Sequence, residues 1–302
     1  MLYDILVIGG GPAGLTAATY ARRAGKSVLV IEKNAFGGQI TWSPRVENFP
    51  GFLSLSGTEL GDKLLEQAME QGAEVELDEA VSVSVSPDGV KTVACESGAA
   101  FQGRALIIAV GAKPRTLGLP REDELVGSGV CFCAVCDGAF YANQDVAVCG
   151  GGNAALQDAL LLSEKCRSVA LIHRRESFRG ERKLVEALQK RENVSFVLNA
   201  AVTGLLGEDE LRGIEITQNG AAWELPVTGL FIAVGHQPDN GAFASLLELD
   251  AAGYAASGED CLTKSAGVFV AGDCRAKGVR QLTTAAADGS VAALAACRYL
   301  DA

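Results

Sequence analysis

Cys133-Ala134-Val135-Cys136-Asp137 places two thiols two residues apart, with a carboxyl group directly after the second. Such thiols can close a disulfide. At a helix start the nearby N–H groups and the helix dipole stabilise a thiolate, so the pair can cycle between dithiol and disulfide. Asp137 is placed to give a proton to a leaving thiolate. Alone, a C-x-x-C is half a zinc site, a redox pair or two buried cysteines. Zinc needs further ligands, and the chain offers only His173 and His236 and no second C-x-x-C, so no metal site is expected. Position separates the other two readings: the pair lies between two glycine-rich dinucleotide fingerprints.

The first fingerprint opens the chain. Tyr3 to Gly9 reads as a buried parallel-type strand. Gly9-Gly10-Gly11-Pro12-Ala13-Gly14 follows, then an alanine-rich helical stretch stopped by Gly25, then a strand from Lys26 to Glu32. The glycines allow a tight turn and let backbone N–H groups reach a pyrophosphate at the helix N-terminus. Glu32, ending the second strand, is placed to accept from ribose hydroxyls. This much does not separate FAD from NAD. Gly37-Gly38-Gln39-Ile40 and Glu47-Asn48-Phe49-Pro50-Gly51 are loop segments whose polar side chains can reach a ring system. An amphipathic helix is expected from Ser56 to Gly72, a strand meander from Glu74 to Val93, and a buried strand from Ala105 to Val110 ending at Gly111.

The second fingerprint, Gly150-Gly151-Gly152-Asn153-Ala154-Ala155, follows a strand from Gln144 to Cys149 and opens a helix to Ser163. Its next strand, Ser168 to His173, ends on no acid but on His173-Arg174-Arg175, with Arg179 close behind. A carboxylate there would repel a 2′-phosphate, whereas guanidinium groups bind it by paired charge-assisted hydrogen bonds. At roughly 1.5–3 kcal/mol per hydrogen bond to a charged group, one contact favours NADPH over NADH by about ten-fold or more. A helix from Glu181 to Arg191, a strand from Val194 to Leu198, a hairpin from Leu211 to Leu225 around Asn219-Gly220 and a strand from Leu230 to Gly235 complete this segment. The last third carries a strand running into Gly272-Asp273 and a long small-residue helix from Leu282 to Leu300, whose first N–H groups can polarise a ring carbonyl.

Composition sets outer bounds. The 302 residues suggest two domains, one of them split. A net charge of −11 argues against an extended nucleic-acid surface. No apolar run approaches the ~20 residues that span a bilayer, and the N-terminus shows no signal core. Nine scattered cysteines, an odd number, argue against a secreted disulfide framework and for a reducing cytosol, so a cytoplasmic location is expected.

These motifs together resemble the bacterial-type, low-molecular-weight thioredoxin reductases. The matching segments are G-G-G-P-A-G, G-G-Q-I, E-N-F-P-G, C-A-V-C-D-G, G-G-G-N-A-A, H-R-R-E-S-F-R, G-H-Q-P-D and A-G-D-C-R-A-K-G-V-R-Q, in the family's order and across nearly the whole chain. The resemblance implies an α/β fold of two Rossmann-like three-layer domains. An NADPH domain, residues 114–241, would be inserted into a discontinuous FAD domain, residues 1–113 and 242–302. FAD would be held by Gly9, Gly11, Pro12, Ala13, Gly14, Glu32, Gly38, Gln39, Asn48, Gly111, Asp273 (on the ribityl chain), Arg280 and Gln281. NADPH would be held by Gly152, Asn153, Ala154, His173, Arg174, Arg175 and Arg179. Cys136 would sit against the flavin, Cys133 would be the interchange thiol, and Asp137 the acid–base group.

The partner implied is thioredoxin or a thioredoxin-like protein, and the assembly a homodimer. The two short connections near Lys113 and Gly241 are expected to act as a hinge, since domain rotation is what the resemblance implies. Several residues depart from the family pattern: Cys131 in C-F-C-A-V-C, Cys274 after Asp273, Val110 in A-V-G, and the Trp42, Pro44, Arg45 lead-in. Two alternatives share the redox pair: a dithiol oxidase that passes electrons to oxygen, and a flavoprotein carrier to a peroxidase. The arginine cluster counts against the first. Against the second, relatives of that type bear an extra N-terminal redox domain, whereas this sequence opens on the first fingerprint's strand.

Overall fold

The computed structural model describes residues 1–302. Its contacts divide the chain into two units, Met1–Lys113 with Gln237–Ala302, and Pro114–His236.

In the first unit five strands run parallel, in the order Glu74–Leu77, Val28–Glu32, Leu2–Ile8, Ala100–Ile108, Val268–Val270. Successive side chains of a strand point to opposite faces. Ile5, Val7, Val28, Val30 and Ile107 therefore enter one core with the helices Pro12–Arg23 and Leu282–Asp301. Leu6, Ile8, Leu29, Ile31 and Ile108 enter another, with Val93, Phe243 and Leu247. Each such side chain contributes roughly 1.5–3 kcal/mol by leaving water. The meander, Ala80–Val85 and Lys91–Cys95, pairs antiparallel with the first half of Ala100–Ile108 and covers the second face. The result is three layers. The helix Gly57–Glu70 starts on a capping box, in which the Glu59 N–H donates to Ser56 Oγ (3.1 Å) and the Ser56 N–H to Glu59 Oε2 (2.7 Å).

The second unit repeats the plan. Its parallel sheet has the order Val194–Leu198, Ser168–His173, Asp145–Gly150, Gly229–Ala233, Val130–Cys131. Val146, Val148, Val169 and Leu171 face the helices Asn153–Ser163 and Arg182–Gln189, while Ala147, Ala170 and Ile172 face a three-stranded antiparallel sheet. That sheet contains the expected hairpin, Gly213–Gln218 with Ala221–Leu225, and one strand beyond it, Ala200–Leu206. Asn199, in the left-handed region at φ 53°, turns the chain out of the parallel sheet into this strand.

The return to the first unit falls at Gln237, ahead of the Ala242 boundary expected from sequence. The reason lies in two polar anchors. Asp239 pairs with Lys33 (2.6 Å), and the buried Asn240 donates to the carbonyls of Gly253 and Cys274, both at 2.9 Å. No helix is long and apolar enough to cross a membrane.

The helices Pro12–Arg23 and Leu282–Asp301 pack through small residues. A Cβ on Gly289 would overlap the Ala13 carbonyl oxygen, backbone against backbone. Gly289→Ala is therefore expected to cost about 1–3 kcal/mol by overpacking. Calorimetry should show a melting temperature lowered by several degrees; an unchanged melt would mean the two helices separate freely.

Candidate active site

The redox stretch sits on a single helical turn, Ala134–Asp137, capped by Cys133. Cys133 and Cys136 are joined as a disulfide with Cα atoms 5.3 Å apart. The Cys136 N–H donates to Cys133 Sγ at 3.2 Å, so the first sulfur has a donor ready for its thiolate. Cys133 is half-buried and Cys136 exposed. The turn packs on the helix Asn153–Ser163, and a Cβ on Gly138 would press on Leu162, which fits glycine after Asp137. Burial pushes the Asp137 carboxyl up to about 6. Asp158, on the helix below, is pushed up to about 6 by the same cause. Cys131 is buried and donates to Tyr141 Oη at 3.3 Å. Burial, and secondarily the charge of Asp137, push its thiol up to about 12, so it remains a thiol while its neighbours exchange electrons.

In the first unit a cleft of about 250 Å³ opens at the carboxyl ends of the parallel strands. Gly9, Gly11, Pro12, Ala13 and Glu32 of the fingerprint line it. So do Gly38, Gln39, Gly111, Asp273 and Gln281. Gly14, Asn48 and Arg280 do not. Gly14 is buried, and a Cβ there would overlap the Gly9 carbonyl oxygen, so it serves helix–strand packing. Asn48 Nδ2 reaches Gln281 Oε1 at 3.4 Å from an exposed loop. Arg280 stacks on the Tyr254 ring at 4.0 Å and donates to the Asp273 carbonyl at 3.3 Å. Glu32 accepts the Gly10 N–H (2.6 Å) and the Asn34 N–H (2.9 Å), so its carboxylate braces the glycine turn while facing the cleft. Gln281 caps its own helix in a capping box with Thr284.

The cleft suits a dinucleotide. The helix Pro12–Arg23 has no side-chain cap at Gly11. A Cβ on Gly11 would meet nothing closer than 3.8 Å, so packing does not demand glycine there and an open cradle does. Asp273 Oδ1 is buried with no hydrogen-bond donor aimed at it. Sequence reading missed Lys33, which lines the cleft and bridges Glu79 (3.2 Å) and Asp239 (2.6 Å). A lysine directly after the acid that ends the second strand was the only signal.

The second fingerprint shows the same division of labour. A Cβ on Gly150 would collide with Ala155 and the Ala233 carbonyl, and one on Gly151 with the His173 ring. A Cβ on Gly152 would meet nothing within 4 Å. Asn153 is a local brace: its Oδ1 accepts the Glu181 N–H at 2.7 Å. Ala154, beside it, is exposed in the first turn of the helix. His173 is buried and stacked on Phe178 (5.3 Å), with Nε2 unpartnered. Burial, with the charges of Arg179, Arg175 and Arg174, pushes its pKa down and leaves it neutral. The three arginines are exposed, on the loop after this strand.

A redox disulfide and two dinucleotide fingerprints at the ends of parallel strands define a nucleotide-dependent dithiol–disulfide oxidoreductase. The chain belongs to the pyridine nucleotide-disulphide oxidoreductase family, whose sequence profile matches residues 3–289. It is 40% identical to the thioredoxin reductase of Listeria monocytogenes over 99% of this chain and 94% of that protein. It is also 40% identical to the bifunctional thioredoxin reductase/thioredoxin of Mycobacterium leprae over 99% of its length, spanning 66% of that longer protein. The crystal structure of thioredoxin reductase from Streptococcus pyogenes superposes with a TM-score of 0.93 at 36% identity, covering 99% of this chain and 98% of that one. A flavin and a pyridine nucleotide cofactor go with this membership.

Asp137 is expected to titrate near pH 6, above the ordinary carboxylate range. Burial favours its neutral form, so its contribution to stability falls as pH rises towards and through that value. Difference infrared spectra of the disulfide form should show two protonated-carboxyl bands lost near pH 6, one of them absent in Asp137→Asn. Titration of Asp137 in the ordinary range would mean that water reaches it.

Proposed function

We propose that the chain is an NADPH-dependent thioredoxin-disulfide reductase, with FAD in the first-unit cleft and NADPH on the second fingerprint. The observation that carries this is the Cys133–Cys136 disulfide on a short helical turn beside a desolvated Asp137, in the same unit as a fingerprint followed by three exposed arginines. FAD, when bound, relays the two electrons of a nicotinamide hydride to a disulfide. The protein's own part starts from that disulfide, which takes up two electrons and two protons to become the Cys133 and Cys136 thiols.

The Cys133 thiolate then attacks one sulfur of the partner's disulfide, forming a mixed disulfide and releasing a thiolate. Asp137, protonated up to about pH 6, donates to a leaving thiolate. Cys136 next attacks Cys133 Sγ, which releases the partner as a dithiol and restores the original disulfide. The order of the two cysteines is carried over from the family; exposure alone does not favour Cys133. The partner is thioredoxin or a thioredoxin-like protein, as the names of the relatives indicate. The dithiol-oxidase alternative finds no support in these relatives.

Glu32 favours a nucleotide with a free ribose hydroxyl, and Arg174, Arg175 and Arg179 favour one with a 2′-phosphate. Arg174→Ala is expected to raise KM for NADPH about ten-fold or more, as for loss of a charge-assisted hydrogen bond, and to leave KM for NADH unchanged. Equal changes for both nucleotides would take the guanidinium away from the phosphate.

The test of the whole reading is NADPH oxidation by the purified protein with and without thioredoxin, against NADH and against oxygen alone. Thioredoxin-dependent turnover with NADPH is expected. Cys133→Ser should still bleach the flavin with NADPH yet lose thioredoxin reduction. Retained turnover in that variant would remove Cys133 from the exchange.

A further inference from the structure

Behind the wall of the first cleft lies a buried charge cluster. Asp288, in the second turn of the alanine-rich last helix, is 7% exposed. Its Oδ1 accepts from Arg275 Nη2 at 2.8 Å. Its Oδ2 accepts from Arg275 Nε (3.2 Å), the Gly272 N–H (3.0 Å) and Lys277 Nζ (3.2 Å). Burial alone would push this carboxyl up. The hydrogen bond from Arg275 and the charges of Lys277 and Arg275 outweigh it and hold the carboxyl below its usual range.

Two cations meet this one carboxylate, and the second charge is answered from the cleft. Lys277 Nζ lies 3.1 Å from Asp273 Oδ1. Asp273 lines the cleft and Lys277 does not; the lysine side chain is only 7% exposed. Thr284 Oγ1, 3.4 Å from Nζ, steadies it from the last helix. The Lys277–Asp273 contact is an ion pair without hydrogen-bond alignment, since Oδ1 is buried with no donor directed at it. That oxygen is therefore balanced in charge yet keeps its lone pairs for a donor. Without the lysine, Asp273 and Asp288 would lose the cation they share, with Arg275 already bidentate on Asp288, and like charges left so repel.

We propose that Lys277 is a positioning residue for the flavin cofactor: braced by Asp288 and Thr284, it holds the Asp273 carboxylate in place as an acceptor for hydroxyl groups of the cofactor's polyol chain. This rests on reading the cleft as a flavin site. Lys277 acts only through Asp273 and touches no reacting atom.

The experiment uses the full chain stripped of flavin and titrated with FAD and, separately, with ADP, which has the adenosine and pyrophosphate but no polyol. In Lys277→Met, FAD affinity should fall about ten-fold, as for loss of one charge-assisted hydrogen bond, while ADP affinity stays unchanged. Lys277→Gln, which keeps a polar reach without the charge, should behave alike. In an Asp273→Asn background the lysine substitution should have no further effect on FAD. Unchanged FAD affinity in both lysine variants would overturn the proposal. So would a parallel loss of ADP binding, which marks a collapsed cleft, or a full-sized loss that persists with Asp273→Asn. Wild-type protein that binds ADP but not FAD would instead overturn the flavin reading itself.

Discussion

A parallel strand between two others has no bare face, and the rest of this structure depends on that constraint. In both units the central strands are apolar on both sides, with one face under helices and the other under an antiparallel meander or sheet. Polar chemistry is thereby excluded from the middle of either sheet. It collects where the strands end, at Gly9 and Glu32 in one unit and at Gly150 and His173 in the other. A backbone turning from strand into helix there leaves unpaired N–H groups pointing at whatever lies beyond. The redox turn is placed by the same logic, following the short edge strand Val130–Cys131 of the second sheet.

Much of this was legible in the sequence, for a physical reason. Two-sided burial writes itself as unbroken apolar runs such as Ile5-Leu6-Val7-Ile8, and close backbone approach writes itself as glycine. The two fingerprints and their helices followed from those two signals, and the redox pair from the spacing of its cysteines between them. What escaped depends on contacts distant in sequence. The strand Ala200–Leu206 was not expected; it follows the expected strand Val194–Leu198 directly, and only the turn at Asn199 sends it to another sheet. Asp288 was not singled out, because its partners Arg275 and Lys277 lie in a loop before the helix. The tie of Asp239 and Asn240 to the first unit depends on Lys33, Gly253 and Cys274, none of them near in sequence. Two residues that the resemblance assigns to the flavin also have structural work here: Gly14 packs against the Gly9 carbonyl, and Arg280 stacks on Tyr254.

Desolvation does opposite things to neighbouring groups on the redox turn. It lifts Asp137 towards neutrality, to about 6, which suits a group that gives and takes a proton, and keeps Cys131 a thiol, which suits a bystander. Three cysteines within six residues would otherwise invite mispairing. The difference is that Cys131 is locked beneath Tyr141 while Cys133 and Cys136 share the surface turn. A similar economy governs the buried charges. Arg275 and Asp288 satisfy one another with several hydrogen bonds, which is the condition under which a buried ion pair is tolerated.

The glycines differ in what retains them. Gly9, Gly14 and Gly150 are pinned by the fold, because any side chain there strikes backbone. At ordinary φ values of −78° and −96°, a Cβ on Gly11 would make only ordinary contact at 3.8 Å and one on Gly152 would meet nothing within 4 Å, so the folded chain alone would accept alanine at either. On the proposed reading, it is the nucleotides that need them bare. A descendant of this protein that abandoned one cofactor while keeping its architecture would be free to drift at that single position long before its sheet changed. The pair Gly11 and Gly152 thus records, separately for each unit, whether lineages are still selected to use a nucleotide there.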